Sequence, residues 1–192
     1  IYNQQKNDLI SHLIKENPEY NSILIFCSTK KAVSELTRVL KRQKFSVEAI
    51  SSDLEQAQRE EVLQGYRSKR TRILVATDVM SRGIDIKDIN LVINYNVPQD
   101  AEDYVHRVGR TARADATGVA LTLVNEDDMY SFHQIEQLIE REVFKIPLPT
   151  HFGEGPLWKV KSFRGRPHTG GFHKGKKGGN PSRNFRGKPH KG

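Results

Sequence analysis

Ile73-Leu74-Val75-Ala76-Thr77-Asp78-Val79-Met80-Ser81-Arg82-Gly83-Ile84-Asp85 passes from an unbroken apolar tetrapeptide into a polar turn that contains a glycine. Continuous apolar residues mark a strand buried on both faces, since a half-exposed strand alternates. Similar runs stand at Ile23–Cys27, Leu91–Tyr95 and Val119–Val124, with a weaker one at Val47–Ile50. Helical patterns lie between them. Apolar residues recur at i, i+3 and i+4 over Lys6–Glu16, Lys30–Lys41, Gln56–Tyr66, Asp100–Val108 and Asp128–Glu142, which predicts amphipathic helices packed on a sheet. Strands alternating with helices over short links predict an α/β fold, a doubly wound parallel sheet with helices on both faces. Ligands of such sheets sit beyond the carboxyl ends of the strands. Thr77–Asp85 follows one of those ends.

A second run, His106-Arg107-Val108-Gly109-Arg110-Thr111-Ala112-Arg113, puts three arginines and a histidine into eight residues. Gly109 is placed to end the helix before it, so Arg110 and Arg113 project from the helix end or the loop beyond. Arginine suits phosphate because its charge is permanent and its planar fork matches two oxygens. In the first run, Gly83 lets backbone approach a ligand closely, Thr77 offers a hydroxyl, and Asp85 offers a carboxylate to a hydroxyl.

Together the two runs resemble motifs V and VI of the DEAD-box ATP-dependent RNA helicases of superfamily 2. The resemblance covers roughly residues 1–149 and implies a RecA-like domain, the second of two in the family. It implies that Arg110 and Arg113 reach the γ-phosphate of ATP as arginine fingers. It places Asp85 at the ATP ribose, with Gly83 beside it, and Thr77 at an RNA phosphate. His106, Arg107, Asp78 and Arg82 take linking or interdomain roles. Gln56-Ala57-Gln58-Arg59 resembles a Q-x-x-R element whose arginine holds an RNA phosphate. Phe26–Thr29 resembles motif IV, with Ser28 and Thr29 facing the cleft; Thr29 or Ser28 as a plain helix N-cap is an equal reading. The chain departs from the family pattern at Ser51-Ser52, where His-Gly is common, and at Ala112, where glycine is usual.

A phosphate-binding loop of the form G-x-x-x-x-G-K-[ST] does not occur in the chain, nor does an Asp-Glu-Ala-Asp run. The chain is therefore expected to be the C-terminal part of a longer protein. An N-terminal RecA-like domain of that protein would hold most of the ATP and the magnesium ion. RNA and that domain are the expected partners, and residues 1–192 alone are expected to be inactive. A different class, a non-enzymatic RNA-binding or annealing protein, is the rival reading. A DNA helicase of the same superfamily is a third.

Charge is divided unevenly. Up to Glu154 there are 20 Lys+Arg against 23 Asp+Glu, a net of −3. From Gly155 on there are 11 Lys+Arg and no acid, a net of +11. Nine of the 14 glycines also fall there. Such a segment cannot bury enough apolar surface to offset its ordering entropy. It predicts a domain over 1–150 and a disordered basic tail over 151–192. Cations interleaved with Trp158, Phe163, Phe172 and Phe185 suit nonspecific RNA; a solubilising extension is the plainer alternative. One cysteine, Cys27, lies inside an apolar run, fits a reducing compartment and gives cytoplasm as the expected location. No apolar stretch reaches the ~20 residues of a membrane span. The seven histidines lack a ligand spacing, so no metal site is expected.

Overall fold

The apolar runs come together as one five-stranded parallel sheet in the computed structural model, which describes residues 1–78, 89–111 and 118–160. The elements in chain order are α1 (Lys6–Glu16), β1 (Ile23–Phe26), α2 (Lys30–Arg42), β2 (Val47–Ile50) and α3 (Gln56–Arg67). β3 (Ile73–Ala76), β4 (Leu91–Asn94), α4 (Ala101–Val108), β5 (Val119–Thr122) and α5 (Met129–Leu138) follow. Strand order is β2-β3-β1-β4-β5, so β1 lies centrally and the chain winds outward both ways. β1, β3 and β4 are buried at every position, which explains why they read as continuous apolar runs rather than alternating ones.

Successive residues of each strand feed opposite faces. Ile23, Ile25, Ile73, Val75, Leu91 and Ile93 meet α1 and α2 through Leu9, Ile10, Ile14, Val33, Leu36 and Leu40. Leu24, Phe26, Leu74, Ala76 and Val92 meet α3 through Leu63 and Tyr66. A third cluster joins α4 to α5, with Tyr104 edge-on to Phe132 at 5.8 Å. Each fully buried Leu or Ile contributes roughly 1.5–3 kcal/mol of transfer free energy, and the two faces share the sheet between them.

Three helices end where no glycine stands. Lys44, Lys69 and Glu140 have φ of 64°, 60° and 53°, each just past a helix. After α2, Phe45 N–H returns to Leu40 O at 3.1 Å and Lys44 N–H to Lys41 O at 2.9 Å. That is the paired closure of a Schellman turn, with Phe45 folding back onto the core. α5 ends the same way: Arg141 N–H reaches Glu136 O and Glu140 N–H reaches Gln137 O. This closure stops α5 at Leu138, four residues before the Glu142 expected from periodicity.

Residues just past 150 touch the body. The Phe152 carbonyl accepts from Gln5 Nε2 at 2.8 Å, and its ring lies 5.8 Å from that of His12. Trp158, grouped with the tail's rings by sequence, packs edge-on against Phe132 at 6.2 Å, with the Lys145 ammonium 4.9 Å from its ring centre. Its face is thus engaged by the body. The basic residues from 161 on lie outside the described residues. Among the described residues no helix is long and apolar enough to cross a membrane.

Candidate functional site

Parallel register sets the site. Phe26 pairs with Ala76 and with Asn94, Ile50 with Ala76, and Asn94 with Thr122. All five strands therefore deliver the chain to one edge of the sheet. Ser28 and Thr29 follow β1 there, Gln56 and Arg59 open α3 after β2, and Thr77 and Asp78 follow β3. α4, entered after β4, carries His106 and Arg107, and Arg110 comes just past its end.

Arg107 organises this edge. It is a charged residue only 3% exposed, which demands complete pairing. Its Nε and Nη2 donate to the two carboxylate oxygens of Asp78, each at 2.5 Å. Its Nη1 donates to Asn94 Oδ1 and to the Asn96 carbonyl, both at 3.2 Å. The guanidinium lies 5.2 Å from the Phe26 ring centre, a cation–π contact. Asn94, fully buried, uses its amide N–H on Thr122 Oγ1 at 3.0 Å. Asn96 Oδ1 accepts the Ser28 N–H at 3.1 Å. One guanidinium thus ties together the exits of β1, β3 and β4, and brings Arg107 and Asp78, two residues expected to act in coupling, into direct contact.

Thr29 is the N-cap of α2: its hydroxyl oxygen accepts the Ala32 N–H at 3.1 Å. Ser28 and Thr29 are both exposed, so capping leaves their outer surfaces open to solvent. On α3, Arg59 Nη1 donates to Gln56 Oε1 at 3.4 Å, and Gln56 Nε2 to Glu60 Oε1 at 3.1 Å. Arg59 Nε is buried and has no hydrogen-bond partner among the described residues. Thr77 is half-buried and His106 exposed.

Arg110, part-buried, sits where its N–H returns to the Arg107 carbonyl at 3.1 Å. Gly109 caps α4 with φ −62°, so its glycine serves space rather than handedness: an added Cβ would stand 3.0 Å from the Val105 carbonyl oxygen. Beyond it, the buried Thr111 donates its hydroxyl to the Ile89 carbonyl at 2.7 Å. Gly118 passes so close that an added Cβ would lie 1.6 Å from Thr111 Oγ1 and 2.7 Å from its carbonyl oxygen. The two ends of the segment that carries Arg113 are therefore held side by side. Gly118→Ala is expected to destabilise the domain by ~3 kcal/mol, at the upper end for overpacking because backbone has to move. A urea midpoint equal to the parent's would rule this close approach out. Arg82, Gly83, Asp85, Ala112 and Arg113 lie outside the described residues.

Sequence reading passed over Asn96 and Gly118, and gave no individual role to Asn94, Phe26 or Thr111, which it quoted only within longer runs. A signal existed at Asn94: an amide closing the apolar run Leu91-Val92-Ile93 must find partners once buried. Cys27 lies beneath the site, fully buried, and loss of hydration pushes its thiol up to about 12. It stays neutral and packs as a small apolar group. Lys6, also buried, donates to the Tyr95 carbonyl at 3.0 Å, and burial lowers its pKa. Among the described residues no three His, Cys, Asp or Glu side chains come together as a metal-ligand group.

The edge thus presents hydroxyls, amides and guanidinium groups on a doubly wound sheet, a donor-rich surface suited to phosphate oxygens. Comparison with known proteins agrees with that class. Residues 5–115 match the helicase conserved C-terminal domain family. The chain is 39% identical to DEAD-box ATP-dependent RNA helicase 46 of Arabidopsis thaliana over 178 residues, 93% of this chain and 26% of that protein. The structure superposes on E. coli DEAD-box protein SrmB, solved bound to regulator of ribonuclease activity A, with TM-score 0.70 and 33% identity over 74% of this chain and 83% of that one. A DEAD box protein from the hyperthermophile Methanococcus jannaschii gives TM-score 0.70 and 40% identity over 76% of this chain and 40% of that one. The chain belongs to the DEAD-box helicases of superfamily 2, as their C-terminal, RecA-like helicase domain. It spans about a quarter of the length of the Arabidopsis relative.

Proposed function

We propose that this chain is the second motor domain of an ATP-dependent RNA helicase that separates short RNA duplexes, and that it completes an ATP site shared with an N-terminal RecA-like domain of the same protein. The observation that carries this reading is the Arg107 network. Asp78, in the turn expected to meet RNA, and Asn96, which holds the Ser28 N–H, are both bonded to the helix that leads directly to Arg110. A strand of RNA seated on Ser28, Thr29, Thr77, Gln56 and Arg59 would press on the same framework that aims Arg110. Arg107 has its charge matched within the domain, so it holds position. Arg110 and Arg113 are assigned to the γ-phosphate, where a guanidinium stabilises charge that grows during phosphoryl transfer. Asp85 is assigned to the ribose, with Gly83 allowing close backbone approach. His106, exposed on α4, and Arg82 are assigned to the interdomain contact.

A magnesium ion, when bound, would offset the negative charge of the phosphates. The Asp78 carboxylate at this edge is engaged by Arg107, and the surrounding N–H and hydroxyl groups fit phosphate rather than a cation, so the ion's ligands are assigned to the N-terminal domain. The basic residues after Gly155 are assigned to nonspecific RNA binding, and the whole protein to the cytoplasm.

Residues 1–192 alone are expected to hydrolyse ATP negligibly, with or without RNA. A protein that joins them to the N-terminal domain is expected to show RNA-stimulated turnover and to separate a short duplex. The measurement is phosphate release by both proteins across an RNA titration. Robust hydrolysis by residues 1–192 would overturn the shared site. A two-domain protein that bound RNA without turnover would favour an annealing protein instead.

A further inference from the structure

A groove of about 590 Å³ runs between α2 and the edge strand β2, apart from the residues assigned to RNA and ATP. We propose that it docks an acidic, extended segment of a partner protein, added as a further strand beside β2. Three observations point to this occupant.

The first is charge. Lys30, Arg38, Lys41 and Arg42 line the groove against one carboxylate, Asp53. Lys30 is held by Asp53 at 2.5 Å and Lys41 by Glu48 at 3.0 Å. Arg38 and Arg42 are exposed and have no acidic partner among the described residues. Charges beside an edge strand also block self-association. Two lysines already fixed by acids serve that purpose without two further arginines.

The second is backbone. β2 ends the described sheet, with β3 as its one neighbour. Ile73 N–H bonds to Ser46 O at 3.0 Å. Backbone groups alternate sides along a strand, so Ser46, Glu48 and Ile50 address β3, while Val47 and Ala49 turn their N–H and C=O outward. Ala49, a small residue, lines the groove with Val33 beneath α2. An added strand would find both backbone donors and acceptors there, with a shallow apolar floor.

The third is spacing. Arg38 and Arg42 are one helical turn apart, about 5–6 Å between Cβ atoms. Side chains at i and i+2 of an extended peptide stand about 6.6–6.8 Å apart on one side. Carboxylates at alternate positions therefore match the two arginines. From Lys30 to Arg42 the helix is ~18 Å long, the reach of about five extended residues.

RNA fits less well. The lining includes no aromatic ring on which a base could stack. A sugar–phosphate chain can accept an outward N–H, but it has no amide ladder to match the N–H and C=O that Val47 and Ala49 turn outward at strand spacing.

The test uses the full 192-residue chain and a fluorescein-labelled octapeptide of alternating Glu and Thr, read by fluorescence anisotropy at low salt. R38E/R42E should weaken peptide binding at least tenfold without changing the melting temperature, because both residues are exposed. A peptide of the same sequence N-methylated at alternate backbone nitrogens should bind at least fivefold more weakly. That comparison separates strand addition from attraction to the basic tail, which N-methylation leaves unaltered. R38E/R42E should leave the affinity of a ten-nucleotide uridine RNA within about twofold, since the tail and carboxyl-edge contacts are untouched. Equal peptide binding by parent and R38E/R42E, or indifference to N-methylation, would overturn the proposal. So would a larger loss of RNA than of peptide, which would assign the groove to nucleic acid. These outcomes are independent of whether the two-domain protein hydrolyses ATP.

Discussion

Arg110→Ala, made in a protein that carries both motor domains, is expected to lower ATP turnover by roughly 10³-fold or more. RNA affinity without nucleotide should stay within about twofold, the signature of an interaction realised in the transition state. Arg110 comes two residues after α4 and three after the buried Arg107, which fixes the helix to the sheet through Asp78, Asn94 and Asn96. Arg110 is not part of the buried core, so truncation is expected to leave the melting temperature nearly unchanged. A backbone anchored at this point suits the proposed finger role: a donor positioned before charge develops needs little reorganisation. Arg110→Lys should recover only a minor part of the rate, since an ammonium supplies a point charge and not a two-oxygen fork. Steady-state kcat and KM for ATP, at saturating RNA, are the measurement. A change confined to KM would make Arg110 a ground-state binding residue and remove it from the finger role.

Much of this arrangement could be read from the residues, and the reason is the sheet. A strand covered on both faces is largely apolar, so β1 and β3 announced themselves as uninterrupted runs and β4 as a run closed by one amide, Asn94, and α1 was bounded by its own periodicity. Once those strands are parallel, every following loop shares one edge, and Ser28, Thr29, Thr77 and Asp78 are gathered without further information. Helix ends were less legible. Lys44, Lys69 and Glu140 adopt the left-handed turn that usually advertises itself as glycine, at a cost for a side chain of roughly 1–2 kcal/mol. Lys44 is held there by its Schellman closure and by Phe45 on the core, which periodicity does not see. Trp158 was misplaced for a similar reason. Its composition belongs to the basic segment, but its ring is captured by Phe132 and Lys145, which are distant in sequence. The partners of Arg107 were hidden because Asn94 and Asn96 are ordinary residues whose importance comes only from register: Asn94 stands level with Phe26 on β1 and Thr122 on β5.

Arg107→Ala is the second large effect, and it falls on stability before function. Removing the guanidinium leaves Asn94 Oδ1, fully buried, and the Asn96 carbonyl without their donor, and strips Asp78 of a two-point partner. Loss of one member of a buried ion pair typically costs about 3–5 kcal/mol, and the lost Phe26 cation–π contact adds to it. The Asp78 carboxylate is a quarter exposed, so water repays part of its share and the lower half of that range is expected. Arg107→Lys should fall between, because one ammonium cannot reach both carboxylate oxygens and two further acceptors at once. Asp78→Asn keeps the shape but leaves a buried guanidinium with no matching charge, and should cost nearly as much. The double variant Arg107→Met with Asp78→Ala should be less damaging than the two single losses combined, by about 0.5–3 kcal/mol of coupling. Urea unfolding of the parent, Arg107→Met, Asp78→Ala and their double variant gives that cycle directly. Function supplies a readout that a purely structural role would not move. In the two-domain protein, below the melting temperature, Arg107→Lys should reduce RNA stimulation of turnover more than the RNA-independent rate, because the turn proposed to meet RNA and the helix that leads to Arg110 share this one side chain. Additive stability losses together with unchanged RNA stimulation would show that Arg107 merely fills space at the sheet edge.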